Sequence, residues 1–160
     1  MLTGDTLYGV AEKGGANDNG VVFSVNTNGN NFTVLHSSSY VNFSTYTNYD
    51  GVNPEGTLVL SRNTFYGTTE FGGSGGNGTV FAMTVVPSVT GMSLTGTNLI
   101  INGINSVAGE TYVLLTGADM TLQVSQWTPV ATNMFSGSTF TISNGVAPNA
   151  SQQFYMLHTY

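Results

Sequence analysis

Residues 6–23 and 64–81 are two copies of one motif, and this repeat limits the fold more than any other feature. The copies read TLYGVAEKGGANDNGVVF and TFYGTTEFGGSGGNGTVF, and they agree at ten of 18 positions with an offset of 58 residues. A period of about 40 to 60 residues built from short strands is typical of propeller blades and β-arrays, because one such unit cannot bury both of its faces alone. The repeat therefore predicts stacked β-units.

The two copies together outline a four-stranded meander, as in a propeller blade. Alternating apolar residues mark the strands, and Gly-rich or Asn-Gly segments mark the turns between them. The predicted strands are 57–61, 64–71 and 79–85 around the second copy, and 21–26 and 31–38 in the first. By this pattern the first copy lacks its first strand and the second lacks its fourth, so each copy supplies three strands.

The sequence therefore predicts only two blades, and both are incomplete. Propellers close with about four or more blades. Two blades cannot close a ring by themselves, and each leaves a sheet edge for which another chain could supply the missing strand.

Composition favours an all-β chain throughout. Only 6% of the residues are charged, 21 are glycine, and Thr, Val, Tyr and Phe are frequent. After Pro87 the sequence becomes six alternating segments, which predict a small β-sandwich of immunoglobulin or fibronectin type with Trp127 as its large core residue. We therefore predict two domains, residues 1–86 with the partial blades and residues 87–160 with the sandwich.

The charge pattern excludes several partners. The net charge is −6 and the only Lys and Arg residues are Lys13 and Arg62, so no basic stripe is available for nucleic acid. No apolar run reaches the roughly 18 residues that span a bilayer, and the start of the chain does not read as a signal peptide. Low charge with abundant Asn, Thr and Gly nevertheless favours an extracellular or cell-surface protein, either freed of a leader or part of a longer product.

The repeat resembles a known family. NTFYGTTEFGGSGGNGTVF, with NGNNFTVLHS after the other copy, is similar to bacterial tandem-repeat surface proteins called GloVer-containing or choice-of-anchor proteins. The resemblance covers residues 4–86, and residues 87–160 look like the modules that follow such repeats. It implies a large exported protein with many repeats, and it implies no catalytic residue.

Two glutamates are the first candidates for catalytic residues. Glu12 and Glu70 occupy equivalent positions in the two copies, and a glycosidase needs a carboxylate pair across a cleft. Their equivalent positions argue against catalysis, because the two carboxylates of a catalytic pair need different environments that separate their pKa values. We predict that the chain is not an enzyme, and that both residues lie at hairpin edges.

Histidines and glycine loops give no metal or cofactor site. His36 and His158 lie in predicted strands without a second His nearby, there is no cysteine, and no GxSxG motif accompanies a nucleophile. The loop 17–20 lacks the later acidic ligand of a calcium loop, and the loop 72–78 does not open a helix that could hold phosphate. Hairpin turns explain both loops.

The segment SYVNFSTYTNYDG, residues 39–51, is the one candidate ligand or interface site. Its rings at Tyr40, Phe43, Tyr46 and Tyr49 are spaced by three residues among small polar side chains. Exposed rings could stack on sugar faces while Asn side chains orient the sugar. Alternatively the rings fold inward and pin a long connection between the units, which is the interpretation we favour at this point.

Three functions follow, in decreasing order of support. The first is a non-catalytic subunit of a head-to-tail surface fibre, completed by strand pairing between copies. The second is a carbohydrate-binding or adhesive module, and the third a glycan-active enzyme. Alternation also predicts the core residues: Leu7, Val22, Phe23, Phe65, Val80 and Phe81 in the repeats, and Leu99, Ile101, Leu114, Trp127, Phe140 and Tyr155 beyond them.

Overall fold

The chain folds as two units of antiparallel β-sheet. A computed structural model describes residues 1–146 and 152–159, and it divides the chain into the compact units Met1–Val85 and Val86–Tyr160. Within the described ranges the single helical element is one 3-10 turn, Val124–Gln126, so the all-β prediction is confirmed. Nowhere in those ranges is there a helix with the length and apolar character needed to cross a bilayer.

The first unit consists of two sheets, one for each copy of the repeat. The first sheet has the order β1-β2-β3-β4 and the second the order β5-β6-β7, and neither closes on itself. Their strands are β1 (Leu2–Thr3), β2 (Thr6–Ala11), β3 (Val21–Asn26), β4 (Thr33–Ser37), β5 (Val52–Ser61), β6 (Thr64–Phe71) and β7 (Thr79–Thr84).

The first copy differs from its prediction in one strand. We expected it to supply only the second to fourth strands of a meander, but Leu2 and Thr3 pair with Leu7 and Thr6 as a short first strand. Two residues are too few for alternation to be read from a sequence, which is why the strand was missed. The second copy has the three strands that were predicted.

The shared glycines and phenylalanines of the motif have one structural role in both sheets. A Cβ on Gly9 would lie 2.8 Å from the Phe23 ring, and a Cβ on Gly67 would lie 2.5 Å from the Phe81 ring. Each phenylalanine therefore covers the glycine that faces it across the sheet. The hairpin loops also match, since Gly20 N donates to Gly14 O and Gly78 N to Gly72 O, at 3.2 and 3.1 Å.

The second unit contains two three-stranded sheets with the orders β12-β9-β8 and β11-β10-β13. Each of the six alternating segments after Pro87 contains one strand. These are β8 (Ser88–Thr95), β9 (Asn98–Ile104), β10 (Thr111–Gly117), β11 (Thr128–Met134), β12 (Thr139–Gly145) and β13 (Phe154–Thr159). One hydrophobic cluster takes side chains from both sheets, among them Ile101 and Ile142 of the first and Leu114 of the second.

Trp127 is buried as predicted but lies outside that cluster. It packs with Val113 and Leu115, whose neighbours Tyr112 and Leu114 point into the larger cluster. The ring therefore covers the other face of the β11-β10-β13 sheet, and its Nε1 donates to Leu122 O at 3.2 Å.

Most of the remaining core predictions are confirmed. Val22, Phe65, Leu99, Ile101, Leu114 and Phe140 are buried, and Phe23, Phe81 and Tyr155 are half-buried. The prediction is wrong for Leu7 and Val80, because both side chains are exposed. Each lies on the side of its sheet that is open to solvent. The same side of the sheet in the other copy is covered.

Candidate functional site

The two repeat sheets each present two faces, which can be matched through the 58-residue offset. We call face A the one that carries Tyr8 and Ser24 in the first copy and Tyr66 and Ala82 in the second, since these residues lie opposite each other in the ladders. Face B is the other side. It carries Leu7, Phe23 and Val25 in the first copy and Phe65, Phe81 and Met83 in the second.

Face A of the first copy is covered by face B of the second. The Tyr8 and Phe65 rings lie 4.5 Å apart between centroids, and these side chains are 3% and 0% exposed. Thr6, Val22 and Ser24 on the same face are also buried. Burial raises the pKa of Tyr8 to about 12, and the nearby charge of Asp5 adds to the shift. This interface is the core of the first unit.

Face A of the second copy is open. Tyr66 is 42% exposed and Val80 is 79% exposed, whereas their counterparts Tyr8 and Val22 are each 3% exposed. Val59 of β5 lies opposite Tyr66 and is exposed as well. Apolar side chains at equivalent positions are thus buried in one copy and accessible in the other.

Face B of the first copy is open in the same way. Leu7 is 41% exposed, although its counterpart Phe65 is fully buried. Leu2 pairs with Leu7, Val34 pairs with Phe23, and both are exposed. Phe32 is exposed too, with its ring centroid 5.6 Å from that of Phe23. Contiguous apolar patches of this kind mark interaction sites on soluble proteins.

One edge of the second sheet is open as well. In the first copy β3 pairs with β4, but the equivalent strand β7 has no outer partner among residues 1–146 and 152–159. Its sequence, TVFAMT, carries no charge. Exposed edges are usually guarded by Lys, Pro or a bulge.

The aromatic segment between the sheets lies on the surface. Tyr40, Phe43, Tyr46 and Tyr49 are all exposed, Tyr49 completely. Our expectation that the rings fold inward is therefore wrong. The buried apolar side chain of this connection is instead that of Val41.

Two clefts flank this segment. Tyr40 and Tyr49, with Asn42 and Asn48, line an open cleft of about 680 Å³. The Phe43 ring packs edge-on against Tyr40 at 5.8 Å. On the other side a second cleft of about 530 Å³ is lined by Tyr46 and by Phe71, whose ring centroids lie 6.3 Å apart. Of the four predicted residues, Tyr40 and Tyr49 thus line the first cleft and Tyr46 the second, whereas Phe43 contacts the Tyr40 ring.

A polar network that the sequence analysis missed fixes the shape of the segment. The Asn48 side-chain oxygen accepts from Gly51 N and Gly73 N at 2.9 and 3.1 Å, which ties the connection to the loop of the second copy. Asp50 accepts from the backbone and hydroxyl of Ser39 and contacts His36 Nε2 at 2.6 Å. The Asn-Tyr-Asp-Gly turn was the available signal, because Asn and Asp bond to the backbone near turns.

Asp50, His36 and Ser39 do not form a catalytic triad. In a triad the imidazole lies between the hydroxyl and the carboxylate, so that it can take the hydroxyl proton. Here the carboxylate lies in the middle and receives both partners. Burial raises the pKa of Asp50, but the hydrogen bonds from Ser39 and His36 outweigh it and hold the pKa below its ordinary value.

The other candidate residues are surface or strand groups. Glu12 and Glu70 are exposed, and their charges raise the pKa of Glu55, which is itself on the surface. Asp18 accepts from Gly14 N at 2.8 Å within its hairpin, and His158 lies in β13 opposite Val113. No cluster of three metal-ligating side chains occurs in the part of the chain that the structure describes.

No family model, characterised protein or solved structure matches the chain.

Proposed function

We propose that the two repeat sheets are propeller-type blades and that the second unit is a β-sandwich. Support for the blades comes from the meander order β1-β2-β3-β4 and from the packing of face A of one sheet on face B of the next. Support for the sandwich comes from the hydrophobic cluster shared by the two sheets after Val86. On this interpretation the first unit is an open stack of two blades.

We propose further that the protein is a non-catalytic structural subunit that assembles head-to-tail with copies of itself into an extracellular filament. The observation that carries this proposal is the uncharged, unguarded outer edge of β7, at the place where the first copy has β4. An edge of this kind is a template for a strand from another molecule. Because the donor and acceptor surfaces differ, the contact is head-to-tail, and it propagates into a filament when the rotation between copies does not close a ring.

The low charge of the chain supports assembly at a cell surface. Only ten residues carry charge, counting two basic and eight acidic side chains, so few charged groups have to leave water where copies meet. The surface is instead rich in hydroxyl and amide groups. These are compatible with dense packing of many copies outside a cell.

Negative-stain microscopy of the purified protein tests this function. We expect filaments at micromolar concentrations, with a repeat set by one chain. A Thr84→Lys variant places a charge at the β7 edge, and we expect it to shorten or abolish the filaments. Compact particles only, unchanged by this substitution, would contradict the filament.

A glycan-binding module is the second candidate, and the cleft between Tyr40 and Tyr49 favours it. Two exposed rings beside two asparagine amides match the combination that sugar recognition uses, apolar contact with a few polar groups. A glycan array tests this candidate. Binding lost in Tyr49→Ala and Tyr40→Ala but retained in Tyr66→Ala, outside the cleft, would support it, whereas no binding to any glycan would reject it.

A further inference from the structure

We propose that face A of the second copy is a docking surface for face B of the first copy in another molecule of this chain. This inference rests on the head-to-tail assembly proposed above, and it names the surfaces that meet. Contact is through sheet faces, with Tyr66 and Val80 on one side and Leu7 and Phe23 on the other, in addition to any pairing at the edge of β7.

The chain contains its own example of this contact. Within one molecule, face A of the first copy packs on face B of the second, with Tyr8 against Phe65 at 4.5 Å. Moving each residue by one repeat gives the contact between molecules, since Tyr66 takes the place of Tyr8 and Leu7 takes the place of Phe65. The two surfaces left open are thus the same two kinds of surface that already fit together inside the chain.

The chemistry of the open faces agrees with this assignment. Val80 corresponds to Val22, and Tyr66 is identical to Tyr8, so the docking face keeps the apolar side chains that the covered face buries. Leu7 is smaller than Phe65 but remains apolar. Exposed Leu2 and Phe32 widen the apolar patch on the receiving side.

The Glu70 carboxylate lies outside the proposed contact. Glu70 lies in β6, next to the loop of the second copy, and its counterpart Glu12 remains exposed beside the internal interface. The internal arrangement therefore buries face A without burying this carboxylate. The same arrangement between molecules leaves Glu70 in water, where it costs little.

Face A meeting face B is a heterologous contact, and its geometry decides the form of the assembly. Such contacts generate a ring if the rotation closes and a filament if it does not. Propellers have about four to eight blades, so two blades per chain give a ring of about two to four chains. Both forms use the same pair of faces.

Cross-linking between molecules tests the surfaces directly, because the chain has no cysteine of its own. Chains carrying Leu7→Cys are mixed with isotope-labelled chains carrying Tyr66→Cys and treated with a short bifunctional maleimide. We expect mixed dimers, identified by mass, to exceed either homodimer at least about tenfold. The matched control replaces Tyr66→Cys by Tyr49→Cys, on the fully exposed aromatic segment, and should give no preference.

A second variant tests the docking face without cross-linking. Val80→Lys places an ammonium group on the docking face, and we expect the fold to tolerate it because the Val80 side chain is exposed. We expect association to weaken by about tenfold or more, as for a central interface residue. Association unchanged in Val80→Lys would overturn the proposal.

The remaining outcomes separate this inference from the proposed function. Assembly without preferential cross-linking of positions 7 and 66 would overturn the docking faces and leave head-to-tail assembly through the β7 edge. Preferential cross-linking within closed rings would support the docking faces and overturn the filament. Chains that neither assemble nor cross-link would overturn both.

Discussion

Tyr8 and Tyr66 occupy the same place in two copies of one motif, but one is 3% exposed and the other 42%. The same reversal separates Val22 from Val80 and Phe65 from Leu7. Local conformation does not cause the difference, because both tyrosines lie in the second strand of their sheet. Each pairs with a small residue on the third strand, Tyr8 with Ser24 and Tyr66 with Ala82. What differs is the neighbour. A repeat unit determines its own strands, but its burial depends on the unit stacked beside it.

The hairpin loops of the two copies agree with each other, whereas the sheet faces differ in burial. Gly14 to Gly20 and Gly72 to Gly78 form the same hydrogen bonds, and their glycines at matching positions have matching positive φ angles. The hydrogen bonds that the two loops share lie within each hairpin, so this part of the loop geometry does not depend on a neighbouring unit. We therefore expect equivalent substitutions to agree in the loops and to disagree on the faces.

The largest difference should come from truncating the face B residues. Phe65→Ala removes a fully buried ring and should lower the free energy of unfolding of the first unit by about 3–5 kcal/mol. Leu7→Ala, at the equivalent exposed position, should cost less than about 1 kcal/mol in the isolated chain. Urea denaturation followed by circular dichroism measures both, while Trp127 fluorescence reports the second unit separately. Equal losses would mean that the two copies are in similar environments.

Alkaline pH should distinguish the two tyrosines of face A. The pKa of Tyr8 is raised to about 12 from its ordinary 10.0, so the folded state keeps a proton that the unfolded state releases. This contribution is fully present below pH 10 and is lost as the pH rises from 10 to 12. It amounts to about 3 kcal/mol.

Urea midpoints at pH 9 and pH 11.5 provide the measurement. Tyr8→Phe should remove this part of the pH dependence, because the group that titrates is gone. Tyr66→Phe is the matched control and should leave it in place. A pH dependence unchanged in Tyr8→Phe would contradict the raised pKa of Tyr8.

Glycine substitutions in the two loops should agree with each other. A Cβ on Gly78 would lie 2.3 Å from Thr69 O, and a Cβ on Gly20 would lie 2.7 Å from Ala11 O, with positive φ at both positions. Each change to Ala should destabilise the first unit by about 1–3 kcal/mol. Thermal unfolding in which only one variant is destabilised would show that the loops are not equivalent.

The connection after the first copy should show a smaller effect at acid pH. Asp50→Asn weakens the bonds to Ser39 and His36 and should cost about 1 kcal/mol at neutral pH. Because the folded pKa of Asp50 is lowered, its contribution is present above the ordinary value of 3.8 and is lost as the pH falls through the lowered pKa.

The control for this effect is Asp119→Asn. Asp119 also has a lowered pKa, through hydrogen bonds from Thr121, but it is exposed and lies in the second unit. Its replacement should leave unfolding of the first unit unchanged. Acid unfolding of that unit shifted equally by both variants would exclude a specific role for Asp50.

Alternation predicted the strands and much of the core, since strand periodicity is a property of the local sequence. It placed Phe65 and Leu114 correctly, but it could not tell whether Leu7 and Val80 would be covered. Coverage is a long-range property, set by whichever surface stacks on the sheet. For the same reason the Asp50 network was missed, because Ser39 lies eleven residues away and is brought close only by the turn at Asn48.

The aromatic segment shows a different limit. The spacing of Tyr40, Phe43, Tyr46 and Tyr49 was visible in the sequence, but their direction was not. A connection of this length needs some buried anchor, and a single valine, Val41, fills that role. The choice between one small anchor and several large ones depends on the space left by the neighbouring sheets.

Light scattering coupled to size-exclusion chromatography is the most direct measurement of whether the open face of the second copy receives another molecule. One chain has a mass of 16.8 kDa. We predict that the wild-type mass rises with concentration to multiples of this value, and that Val80→Lys elutes as a single chain at concentrations where the wild type is assembled. A wild-type mass of one chain at every concentration would contradict the assembly.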